Sequence, residues 1–146
     1  MAELLINIDV DDLPRAVAFY TRAFGLTVGR RFGDAGVELL GAASPLYLLA
    51  KAAGTQPVPA PRGAGDGGAA GARDYHRHWT PVHLDVAVAD LEAAVKQAED
   101  AGAVLEAPLS TSGWGRMACM ADPFGHGFCL LQFHGQGYDA ITTGRG

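Results

Sequence analysis

Apolar residues recur at two periods along this chain, and each change of period marks a new element. In LLINIDV, Leu4, Ile6, Ile8 and Val10 alternate with Leu5, Asn7 and Asp9, which is a strand with one strongly apolar face. Asp11 or Asp12 then caps a helix that tolerates Pro14 in its first turn. Leu13, Val17, Tyr20 and Phe24 follow at helical spacing, and Gly25 suits the position just past the helix end. Three short strands are expected over residues 26–32, 37–41 and 45–50, separated by breaks at 33–36 and 42–44. The order is β-α-β-β-β.

The pattern then lapses. Residues 52–74 are almost all Ala, Gly and Pro, which build no core, and we read them as a mobile linker. Order resumes in YHRHWTPVHLDVAV, where Val82, Leu84, Val86 and Val88 alternate with His83, Asp85 and Ala87. Asp90 caps a helix carrying Leu91, Ala94, Val95 and Ala98 and ending near Ala101-Gly102. A strand begins over 103–106. Two more, 114–121 and 127–133, flank a turn set by Asp122, Pro123 and Gly125. With Phe124 at the turn's centre, Cys119 and Cys129 face each other across the hairpin, and a slip of one residue would reverse both faces.

Placing Asp12-Leu13 on Asp90-Leu91 brings Ile6 onto Leu84, Ile8 onto Val86 and Val10 onto Val88. The chain thus repeats a β-α-β-β-β unit once. Two units are too few for a solenoid and suit a pseudo-twofold α+β domain. Each helix covers one apolar strand face, and the opposite faces line a shared hollow where a ligand would bind. We expect a single domain over residues 1–146: module one at 3–51, the linker, module two at 75–133 and a tail at 134–146.

The paired units, the Asp-Leu helix start after an alternating strand, and the closing DPFGHGFCLLQF resemble the vicinal oxygen chelate superfamily. That group contains glyoxalase, bleomycin-resistance proteins, fosfomycin-resistance enzymes, methylmalonyl-CoA epimerase and extradiol dioxygenases. The resemblance implies the glyoxalase/bleomycin-resistance/dioxygenase fold, two βαβββ modules forming a cupped mixed sheet around a shared cavity. It also implies a homodimer in which each hollow is completed across a twofold interface. In metal-using members each module places one ligand on its first strand and one, usually Glu, on its last. Here those positions hold His83 and Cys129 in module two, and Leu5 and Leu48 or a neighbour in module one. A divalent metal held by one imidazole and water would be too weak.

Two readings of the chemistry follow. In the first, a metal-poor cavity binds a small, largely apolar molecule, with Asn7, Asp9, Trp79, His83, Asp85, Arg116, Cys119, Cys129 and Phe133 as candidate contacts. In the second, the chain is a lyase, isomerase or dioxygenase-type enzyme centred on His83. There His83 is a metal ligand beside the two thiols, with zinc held if a fourth group joins, or a general base next to Asp85. Arg116 would pair with a substrate carboxylate or phosphate, or with a surface acid. Asp122, Pro123 and Gly125 are expected to serve the turn alone.

Composition narrows the partners. A net charge of −5, with 18% charged residues, argues against nucleic acid or an anionic membrane. No apolar run reaches spanning length, and MAELLINIDV lacks a basic leader, so the expectation is a cytoplasmic protein. Two cysteines make no disulfide framework and are expected to be reduced. A Walker loop, a dinucleotide fingerprint and a serine elbow are missing, so no nucleotide or nicotinamide use is expected.

Overall fold

A computed structural model describes residues 1–57 and 71–144; most of the expected linker, 58–70, lies outside the described residues. The first half runs β1 (Ile6–Val10), α1 (Leu13–Phe24), β2 (Thr27–Arg31), β3 (Gly36–Leu40) and β4 (Leu46–Ala50). The second runs β5 (Leu84–Ala87), α2 (Leu91–Ala101), β6 (Val104–Leu105), β7 (Ser110–Ser112), β8 (Gly115–Ala121) and β9 (Gly127–Phe133). Each half forms its own mixed sheet, ordered β1-β4-β3-β2 and β5-β9-β8-β6, with β7 also pairing β8. In both, the first strand lies parallel to the last, β1 against β4 and β5 against β9. A parallel pair needs a crossover, and the helix after each first strand supplies it.

Local chemistry accounts for the helices. Asp12 and Asp90, both extended, accept from the backbone N–H of Arg15 and Ala93, and Gly25 and Gly102 end the helices in left-handed geometry. The buried stripe of α1 is Ala16, Phe19, Tyr20 and Ala23, whereas Leu13, Val17 and Phe24 are only half-buried. The difference from the sequence expectation has a packing cause. Helix α1 lies against α2 as well as its own sheet, so small Ala16 and Ala23 face into the core while Phe24 fills the gap between halves. Arg22 donates to the Asp100 carbonyl and receives a bond at its own carbonyl from Gln97. One core spans both halves, with Val10, Phe19, Leu39, Leu48, Leu91, Met120, Phe124 and Leu130 closed to solvent.

Strand β5 is shorter than its hydrophobic pattern suggests. Val82 is 84% exposed, and the chain bends at Pro81–Val82, where Thr80 caps the Val82 carbonyl. Proline cannot donate to a ladder, so pairing starts only at Leu84. The alternating Val82–Leu84–Val86 therefore overstates the strand by two residues. Strand β7, Ser110–Ser112, has no apolar signal and was not expected. The tail forms a short 3-10 turn over Gly137–Ile141, and Tyr138 packs edge-on against Phe133 and beside Trp114 of the same chain.

Candidate ligand cleft

The hairpin register is the one the sequence predicts: Cys119 lies opposite Cys129, with Asp85 opposite Cys129 on the next strand. Side chains of one parity on β5, β8 and β9 share the sheet face turned away from α2. That face gathers His83, Asp85, Cys129 and Cys119. His83 Nε2 lies 3.1 Å from Asp85 Oδ1, and one donor atom each from His83, Asp85 and Cys129 fall within 4.8 Å of one another. The two sulfurs are 3.9 Å apart. Burial, then the neighbouring Cys119, then Asp85 push the Cys129 thiol up to about 12.

Trp79 packs against His83 at the edge of this group. Its ring is 4.6 Å from that of His83, and it rests on Gly127, where a Cβ would collide with the indole. Arg77 lies over the other side of Trp79 and pairs with Glu106. Neither Arg77 nor Glu106 was singled out from the sequence. Their only signal is opposite charge on segments 29 residues apart in the chain.

Between β1 and β5 no ladder forms among the described residues, so two strand edges face each other across a cleft of about 410 Å³. Its walls are Ile6, Ile8, Val82, Leu84, Val86 and Phe128, with Phe24 and Tyr20 from α1. The polar groups are few: Asn7, Asp9, Thr80, His78, His83 and His126. A cavity of this size, apolar with a few convergent polar groups, is the usual form of a small-molecule site. A second hollow of about 580 Å³ shares Ile6, Phe24, Leu84 and Val86 but opens among small residues such as Ala42, Ala43 and Ala94.

Two clasps hold the halves beside the cleft. The His126 ring donates from Nε2 to the Asp9 carbonyl at 2.7 Å, and its Nδ1 lies 2.9 Å from His78 Nε2. On the other side, Arg73 pairs with the Asp9 carboxylate at 2.8 Å and exchanges backbone bonds with Gly54 and Thr55. The described ends of the Gly/Ala/Pro segment are therefore tied together and to β1.

Of the residues expected at the site, Trp79, His83, Asp85, Cys119 and Cys129 come together on one face. Only His83 of these also lines the cleft, whose walls are the strand positions expected to lie under the helices rather than the opposite faces. Asn7 and Asp9 stand across the cleft from His83. Arg116 does not join them; it pairs with Glu92 of α2 at 2.5 Å. Phe133 sits at the far end of β9 in the Trp114–Tyr138 ring cluster. In module one, Leu5 precedes β1 and is exposed, and Leu48 is fully buried in the core.

The inner face of the first sheet carries a separate buried carboxylate. Glu38 accepts from the Arg30 side chain, from the Arg30 backbone N–H at 3.0 Å, and from the Tyr47 hydroxyl at 2.9 Å, which together hold its carboxyl down to about 2. A carboxyl in the unfolded chain titrates near about 4.3. A depressed folded value contributes stability that is complete above the unfolded value and is lost as pH falls toward 2. Melting followed from pH 7 to pH 2 should therefore fall more steeply in the native protein than in Glu38→Gln, which has no charge to lose.

A family model for the glyoxalase-like domain matches residues 5–131. This chain belongs to the glyoxalase-like domain family. Solved structures agree at the level of the glyoxalase-like fold. A glyoxalase/bleomycin resistance protein/dioxygenase family enzyme from Burkholderia phytofirmans is 18% identical with a TM-score of 0.63, covering 91% of this chain and 100% of that one. The fosfomycin resistance protein FosX from Listeria monocytogenes is 16% identical at a TM-score of 0.64, covering 92% and 94%. A lactoylglutathione lyase from Agrobacterium tumefaciens is 18% identical at 0.57, covering 90% and 92%. No protein of curated function matches the sequence. The chemistry of this glyoxalase-like chain must come from its own residues, since one fold carries many activities. No helix among its described residues is long and apolar enough to cross a membrane.

Proposed function

We propose that this glyoxalase-like protein binds a small, largely apolar molecule in the cleft between β1 and β5, with Asn7 and His83 orienting its polar end. The observation that carries this reading is the wall itself: Ile6, Ile8, Phe24, Leu84 and Phe128 converge from both halves on one hollow with few polar groups. Binding there is driven by burial of apolar surface and given direction by those few groups. Val82 lines the cleft yet is 84% exposed, so it can be changed without touching the core. Titration with 8-anilinonaphthalene-1-sulfonate tests the reading. Val82→Glu should weaken the dye by about tenfold, the worth of one buried aliphatic side chain, with the melting temperature unchanged. Equal affinity in both proteins would overturn the site.

A second reading rests on the donor set. The edge of a tetrahedron around zinc with sulfur ligands is about 3.8 Å, close to the 3.9 Å between Cys119 and Cys129, and Cys129 also lies within 4.8 Å of a donor atom of His83 and of Asp85. Zinc held by three of these groups would keep a fourth position open, where it would polarise a carbonyl oxygen of a bound molecule. Without it, His83, with Nε2 3.1 Å from Asp85 Oδ1, is the group placed to act as a general base. Competition with a chromogenic zinc chelator decides whether the donors bind metal. Stoichiometric uptake that Cys129→Ser abolishes supports this reading, and uptake unchanged by Cys129→Ser removes it.

A further inference from the structure

We propose that Cys119 and Cys129 are a thiol–disulfide exchange site, a cross-strand dithiol that closes reversibly into an intramolecular disulfide. The pairing pattern carries the argument. The Asp122 N–H donates to the His126 carbonyl at the turn, and the His134 N–H donates to the Trp114 carbonyl at the open end. Stepping along the register, hydrogen-bonded pairs fall at Met120/Phe128 and every second pair beyond, so Cys119/Cys129 is a non-hydrogen-bonded pair. Such pairs bring Cα atoms to about 4.5 Å, inside the span a disulfide bridges, and set the side chains closer than in hydrogen-bonded pairs. The sulfurs are already 3.9 Å apart and point toward each other from neighbouring strands. Closure needs side-chain rotation and no new strand register.

The two thiols differ in a way that orders the reaction. Cys119 is half-buried on the open inner face, and the Arg77 guanidinium lies within electrostatic reach of its sulfur. Cys129 is buried, with its thiol beside Asp85. Cys119 as thiolate attacks one sulfur of a small-molecule disulfide; the S–S bond breaks, one thiolate leaves and takes a proton from water. Cys129 then gives its proton to solvent, its sulfur attacks Cys119 Sγ, and the second small thiolate departs. Two protein thiols are oxidised to one disulfide while one external disulfide is reduced to two thiols.

The test uses the full native chain with oxidised glutathione as probe, quenching with N-ethylmaleimide and reading intact mass. The expected product has lost two hydrogens, carries neither glutathione nor maleimide, and returns to two labelled thiols after dithiothreitol. Cys129→Ser should stop at a stable glutathione adduct on Cys119. Cys119→Ser, left with the buried thiol, should react at least about 100-fold more slowly than Cys129→Ser. The wild-type arm stands even if a variant fails to fold. Native protein that accumulates glutathione adducts, or that takes two maleimides after long exposure to the disulfide, overturns the proposal.

Discussion

Asp122→Ala should lower the stability of the protein by about 3–5 kcal/mol, the largest effect expected of any exposed-loop residue in the chain. A loop carboxylate would ordinarily be worth far less. This one is 5% exposed and fully engaged. Oδ1 accepts from the backbone N–H groups of Phe124 and His126, both at 2.8 Å, and Oδ2 accepts from the Tyr20 hydroxyl at 2.5 Å. Truncation leaves two backbone donors and a buried phenol without partners, and each such group carries a desolvation penalty. The Tyr20 hydroxyl is held well above its ordinary pKa by burial and by the adjacent carboxylate, which favours the protonated donor. Because Tyr20 is on α1, the bond ties the first half to the hairpin turn of the second. Chemical denaturation should show the loss as a lower midpoint. Tyr20→Phe should show about 1–3 kcal/mol of it, leaving the turn's own bonds in place. An Asp122→Ala protein as stable as wild type would mean that the turn and the inter-half bond contribute nothing.

Gly125→Ala should cost about 2–4 kcal/mol, from strain and collision together. Gly125 has φ +84, a backbone region that side chains penalise. Space is the second problem. An added Cβ would run into the carbonyls of Tyr75 and His76, which are backbone atoms and cannot swing aside. Those carbonyls are there because His78 donates to the Gly125 carbonyl at 2.9 Å, docking the segment before β5 onto the turn. The substitution should therefore also loosen His78 from His126, on the wall of the cleft. Thermal melting measures the first effect, and weaker dye binding at temperatures where the variant is folded measures the second. Unchanged stability would contradict the close approach.

These two residues also mark where sequence reading stops. The DPFG turn, its positive-φ glycine and the Cys119–Cys129 register were legible because they depend on neighbours in the chain and on a period of two. The helix caps at Asp12 and Asp90 were legible for the same local reason. Asp122 was expected to serve its turn alone, and its third bond reaches a residue 102 positions away. No local pattern records that. The inner face of the second sheet followed from parity, since His83, Asp85 and Cys129 alternate with core residues. The 3.1 Å approach of His83 Nε2 to Asp85 Oδ1 needed coordinates. Arg116 was open between a substrate anion and a surface acid, and the coordinates give the second, since Glu92 on the packed helix takes it. The cleft between β1 and β5 was the least legible feature, because it is made by two strands that do not pair.

That cleft is the central claim, and hydrogen exchange read by mass spectrometry tests it most directly. With 8-anilinonaphthalene-1-sulfonate at saturation, peptides covering residues 6–9 and 82–86 should exchange more slowly, since the dye would sit against both open strand edges. Protection confined to the ring cluster of Trp114, Phe133 and Tyr138, with both strand edges exchanging as in the free protein, would contradict it.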